Sequence, residues 1–72
     1  MVLLVMDGEA VRSLREERRL SRRQLAEASG VSVKTLAHVE LGKTRARLST
    51  ARKIGAALEV DPRSLATVAG RA

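Results

Sequence analysis

Residues 30–43 read GVSVKTLAHVELGK. Leu36 and Val39 stand three apart, the spacing of one buried helical face. Lys34, Thr35 and His38 fall between them and cannot share that face. Ser32 is a good N-cap and Gly42 a stop, so the spacing predicts a short helix from Val33 to Leu41. Its other face either meets water or meets a ligand, and the flanking sequence decides between the two.

Immediately upstream, residues 20–30 read LSRRQLAEASG. Ser21 is an N-cap, and Gln24 three residues later completes a capping box. Leu25, with Ala26 and Ala28, supplies an inward side. Gly30 suits the left-handed position after a helix. This helix spans only about two turns and cannot persist alone, so it must pack on its neighbours. Two short helices joined by a Gly-containing turn of three or four residues match the form of a helix-turn-helix.

Working outward, a helix is expected from about Glu9 to Arg19, with Val11 and Leu14 inward and Ala10 beside them. KTRAR, residues 43–47, reads as a basic loop. A fourth helix starts near Ser49 and places Ala51, Ile54, Gly55 and Leu58 on one face. Gly55 costs roughly 1 kcal/mol against alanine in a helix interior; it either permits a close helix crossing or is a tolerated defect. Asp61-Pro62 reads as N-cap and first residue of a last short helix whose apolar side is Leu65 and Val68. Residues 70–72 form a frayed tail. The predicted fold is all-α, with five short helices in one domain over residues 8–69.

Residues 1–7 form a short apolar extension. MVLLVM is too short to span a bilayer, which takes ~20 residues, and lacks the charged start and cleavage site of a signal peptide. Met6 offers a second translation start. A cytoplasmic location follows as the default.

A chain of 72 residues is enough for one small domain. At this size only roughly 60% of the unfolded surface is buried, so the stability margin is thin. There is no Phe, Tyr or Trp, so the core is built from Leu, Val, Ile, Ala and Met, with little room for an enclosed pocket. There is no cysteine, hence no disulfide and no thiolate zinc site. His38, the single histidine, has no second histidine with which to hold a metal. Neither a cofactor nor a metal is expected. Nor is enzymatic activity, since no carboxylate pair, no nucleophile beside a base and no phosphate-cradling glycine loop is present. The thin margin predicts either very regular helix packing or a homodimer. It would form through the last helix, at Leu65 and Val68, or by pairing Val2–Val5 as a strand across two chains.

Charge is concentrated. The chain carries +6, yet between Arg18 and Lys53 ten basic residues face only Glu27 and Glu40. Such a field attracts polyanions. A basic stripe without aromatic rings suits duplex DNA better than a single strand, whose bases stack on rings.

Leu20–Lys43 resembles the helix-turn-helix core of phage repressor and Cro-like proteins, the XRE family. The L-S-x-x-x-L-A opening, the A-x-x-x-G-V-S turn from Ala26 to Ser32 and the E-x-G-K close stand at the family's spacing. R-x-L-R-E-E-R before them and K-I-G-A-A-L-E-V-D-P-R-S-L after them extend the likeness over about Gly8–Val68. Two positions depart from it: Ala46 stands where the family often has proline, and Arg22 where glutamine is usual.

The resemblance implies a lambda-repressor-like domain that binds double-stranded DNA sequence-specifically as a transcriptional regulator, a repressor, at a palindromic operator. The helix from Val33 to Leu41 would lie in the major groove. Carried over residue by residue, Val33, Lys34, His38 and Arg22 read bases, Arg22 from a position that reaches phosphate or the edge of the site. Lys34 can donate to guanine O6 and N7, and Val33 can meet a thymine methyl. Ser21, Arg23, Ser32, Thr35, Lys43, Arg45 and Arg47 would hold the DNA backbone. Arg15 and Glu40 would form a structural ion pair. The rival is a protein-interaction module of the same fold, such as an antitoxin or a polymerase-binding factor. A purely protein-binding face would be less cationic.

Overall fold

The computed structural model describes residues 2–42 and 45–71. The order is β1 (Val2–Met6), α1 (Gly8–Glu17), α2 (Arg22–Ser29), α3 (Val33–Glu40), β2 (Arg45–Arg47), α4 (Leu48–Leu58), a 3-10 turn (Pro62–Ser64) and β3 (Ala66–Arg71). Four α-helices therefore stand where five were expected, and a small sheet joins them. No helix among the described residues is long and apolar enough to cross a membrane.

The helices start where short-range capping chemistry places them. The Asp7 carboxylate accepts from the Ala10 amide at 3.1 Å. At α2 the Gln24 amide donates to Ser21 Oγ at 3.0 Å while the Ser21 amide donates to Gln24 Oε1 at 2.8 Å. Each bond satisfies a donor that the helix leaves unpaired. Helix α4 has no side-chain cap, because β2 runs straight into it and Arg47 occupies the capping position.

The end of the chain departs from expectation. Asp61 does cap, accepting from the Arg63 amide at 2.8 Å, and Pro62 comes first, but the helix stops after one 3-10 turn. Leu65 is drawn wholly into the core. The chain then continues as β3, so Val68, Gly70 and Arg71 are strand residues rather than a helix face and a tail. A run with β-branched Thr67 and Val68 suits a strand once an edge is available to pair with, and β1 offers that edge.

The sheet order is β2-β1-β3, with every pair antiparallel. Leu4 lies opposite Ala46 on one side and Val68 on the other, and Val5 opposite Arg45 and Thr67. Residues 2–6 are thus the central strand, not an extension, with Leu4 and Met6 buried. Part of the expected basic loop is strand β2, and Lys43 lies outside the described residues. Both edges of β1 are occupied within the chain, so Val2–Val5 is not available to a second copy. Leu65, 0% exposed, cannot line a dimer surface either.

Val11, Leu25, Leu36, Val39, Ile54, Leu58 and Leu65 form the fully buried centre. Ala28 is exposed, outside that face. Two glycines mark close approaches. A Cβ at Gly55 would come within 2.9 Å of the Val60 carbonyl oxygen, so it admits the chain returning after α4 rather than a second helix. A Cβ at Gly8 would strike the Val39 carbonyl oxygen and lie 2.7 Å from that of Glu40. Helix α1 therefore crosses the end of α3 at backbone contact.

Gly8→Ala is expected to cost about 2 kcal/mol in urea unfolding, because both obstructing atoms are backbone. Relief of helix propensity alone would stabilise by roughly 1 kcal/mol, so the sign of the change separates the two effects. A chain begun at Met6 loses the central strand, and it is expected to lose its cooperative thermal transition by circular dichroism.

Candidate nucleic-acid interface

Helices α2 and α3 are fixed to one another by their buried faces. Leu25 projects inward from α2, and Leu36 and Val39 from α3. Gly30 ends α2 in the left-handed region, with φ 74°, which glycine adopts without steric cost. Val31 is then tucked beneath the turn, 8% exposed. Ser32 caps α3, accepting from the Thr35 amide at 3.1 Å and donating to Thr35 Oγ1 at 2.9 Å.

With Leu36 and Val39 pointing in, the opposite side of α3 is presented to solvent. Val33, Lys34 and His38 are exposed, and Thr35 and Ala37 are half-buried. Val33 is 44% exposed. Ser21 and Arg23 are exposed at the start of α2. An open groove lined in part by Arg23, Glu27, Val31 and Val33 runs between α2 and the start of α3. The Arg23–Glu27 pair is loose at 3.9 Å and solvated on both sides, so it holds Arg23 only weakly. On β2, Arg45 and Arg47 are exposed on either side of buried Ala46, so strand alternation sends both arginines off one face.

Glu40, at the end of α3, organises the interior side of the motif. Its side chain is 1% exposed. Arg15 Nε donates to Oε2 at 2.7 Å and Arg15 Nη2 to Oε1 at 3.0 Å. Arg15 Nη1 donates to the Leu20 carbonyl at 2.7 Å, so one guanidinium joins α1, the α1–α2 connection and α3. Burial pushes the Glu40 carboxyl up, but hydrogen bonds from Arg15 and Arg22 and their charges outweigh it, and its pKa lies below the ordinary value. The Arg15 pKa is raised, chiefly by its hydrogen bond to Glu40.

Arg22 reaches the same carboxylate: its Nε donates to Glu40 Oε1 at 3.1 Å. The cause is the number of lone pairs on a carboxylate: Oε1 accepts from Arg15 and still has room for a second donor. The resemblance implies the Arg15–Glu40 pair, and the structure adds Arg22 as a second donor.

A family model described as Helix-turn-helix, HTH_3, matches residues 11–65. The HTH-type transcriptional repressor RghR of Bacillus subtilis is 41% identical over 64 residues, 88% of this chain and 47% of RghR. The chain thus spans about half the length of that curated relative. Among solved structures, the restriction-modification controller protein C.AhdI from Aeromonas hydrophila superposes with a TM-score of 0.75 at 33% identity, covering 79% of this chain and 86% of that one. The clp gene regulator ClgR from C. glutamicum does so at 0.70 and 32% identity, covering 78% and 73%.

Because the folded pKa of Glu40 is lowered, its stabilising contribution is present above the ordinary glutamate value, ~4.3, and is lost as pH falls through the folded value. The urea midpoint is expected to drop as the pH falls below about 5, and Glu40→Gln should start lower and fall less steeply. At neutral pH, Arg15→Ala is expected to cost about 3 kcal/mol, since it leaves the carboxylate buried with only a half-exposed partner.

Proposed function

The chain belongs to the HTH_3 helix-turn-helix family, and from that premise we propose that it is a sequence-specific, double-stranded DNA-binding transcriptional regulator acting in the cytoplasm. The observation that carries this is the exposed side of α3, where Val33, Lys34 and His38 stand free beside a buried Leu36–Val39 face. In a helix-turn-helix the second helix enters the major groove with its N-terminal residues at the base edges. Lys34 suits guanine O6 and N7, and Val33 a thymine methyl. His38, one turn on, donates or accepts according to tautomer.

Ser21, Arg23, Ser32, Thr35, Arg45 and Arg47, with Lys43, hold the DNA backbone. These contacts set position, and the α3 contacts set sequence. The excess of basic residues between Arg18 and Lys53 steers the protein onto the duplex and makes its affinity salt-dependent. A protein-binding module of the same fold would have no need of this excess. Repression is the favoured outcome, in keeping with RghR, a transcriptional repressor.

Two copies bind a palindromic operator with their α3 helices one DNA turn apart, ~34 Å. They pair along the outer edge of β3, which runs six residues and carries no charge before Arg71. The β2 edge is three residues long with two arginines, and short, charged edges resist pairing.

Selection from fragmented genomic DNA at two salt concentrations tests this. The protein is expected to enrich a short palindrome, and Lys34→Ala with His38→Ala to lose the enrichment, weakening specific binding at least about tenfold. No enrichment, or equal enrichment by the double variant, overturns the assignment of α3 as the reader.

A further inference from the structure

We propose that the groove between α2 and the start of α3 takes the major-groove edge of 5-methylcytosine. Val33 meets the methyl group and Glu27 accepts from the exocyclic amine, so that DNA binding registers cytosine methylation. This rests on the reading that α3 lies in the major groove of duplex DNA.

The groove joins two chemistries. One is apolar, at Ala26, Val31 and Val33. Val31 is buried and Val33 exposed, so one valine backs the groove while the other is offered to a ligand. The space above the turn is open: a Cβ at Gly30 would have nothing within 4 Å.

The other chemistry is a carboxylate. Glu27 lines the same groove, and its side chain is 74% exposed. The fold gains little from it. Its ion pair with Arg23 is 3.9 Å long and solvated on both sides, which adds almost nothing to stability. It stands in the C-terminal half of α2, where the helix dipole disfavours an acid. Near DNA a carboxylate repels phosphates unless it meets a donor, and Arg23 beside it offsets that repulsion.

Among the bases the combination is selective. A carboxylate only accepts. Guanine N7 and O6 and thymine O4 are acceptors as well, so they face it unfavourably. Adenine N6 and cytosine N4 donate, but neither base carries a methyl group. Thymine has the methyl but sets O4 beside the acid. Only 5-methylcytosine places a donor and a methyl side by side. Val33 by itself suits either methyl, and Glu27 decides between them.

The test starts from genomic fragments amplified with either cytosine or 5-methylcytosine triphosphate. Both pools go through selection with the full chain. The site recovered from the methylated pool is then made as a duplex with 5-methylcytosine, cytosine or thymine at the methylated position, and titrated. The 5-methylcytosine duplex is expected to bind about fourfold more tightly than the cytosine duplex, the effect of burying one methyl group. It should bind about tenfold more tightly than the thymine duplex, which lacks the donor.

Val33→Ala is expected to lose the gain over cytosine, and Glu27→Gln the gain over thymine, because an amide both donates and accepts. Both side chains are exposed, and circular dichroism checks that each variant folds. Equal or weaker binding of the methylated pool overturns the proposal, as does a thymine duplex bound as tightly as the 5-methylcytosine one. So does either variant that keeps the wild-type preferences. Enrichment from the unmethylated pool with no gain on methylation overturns this inference alone. No enrichment from either pool overturns the proposed function and this inference with it.

Discussion

The Glu40 carboxylate is almost wholly withdrawn from water and accepts from two arginines on two other helices. A charge buried without partners costs several kcal/mol, against a total stability for a domain of this size of roughly 4–10 kcal/mol. The helices therefore cannot settle independently. Helix α1 must bring Arg15 beneath the end of α3, and the guanidinium reaches on to the Leu20 carbonyl, which sets the entry of α2. The backbone contact at Gly8 fixes the same crossing from the other end of α1. What emerges is a pair of helices held at one angle, with the outer side of α3 presented as a rigid surface.

The sheet closes the opposite side. A core without aromatic rings buries little area per residue, and the seven aliphatic side chains at its centre come mostly from helices that are each only two or three turns long. Strand β1 adds Leu4 and Met6 beneath α4 and draws both ends of the chain together, with the Asp7 amide bonded to the Leu65 carbonyl at 2.6 Å. The sheet also serves the interface. Arg45 and Arg47 follow α3 almost directly and are carried on a strand paired to β1, so their backbone is held by a ladder where a loop would leave it loose. Ala46, where proline is frequent in related chains, is small enough to lie buried opposite Leu4.

Electrostatics and packing are thus joined at a few residues. Of the two acids within the basic span, Glu27 is solvated and loosely paired, and Glu40 is buried and tightly held. Only the second shapes the fold, because desolvation multiplies the consequence of each hydrogen bond it makes. The outward positive field survives, since one carboxylate lying between two guanidiniums leaves a net positive charge on the exposed one.

The caps at Ser21, Ser32 and Asp61, the turn at Gly30, the inward set Leu25, Leu36 and Val39, the outward set Val33, Lys34 and His38, and the concentration of charge could all be read from the residues alone. Each depends on neighbours within about four positions, where helical geometry makes spacing and direction nearly synonymous. The likeness to a known family added the Arg15–Glu40 pair, whose members lie 25 residues apart. Only the tertiary structure decided that residues 2–6 are a central strand, that the chain ends in β3 rather than a fifth helix, and that Arg22 turns toward Glu40. Strand pairing joins Met6 to Ala66, and nothing in a local pattern names so distant a partner. An apolar run or an arginine can satisfy several environments, and the choice among them is made by whichever buried edge or buried charge the rest of the fold leaves open.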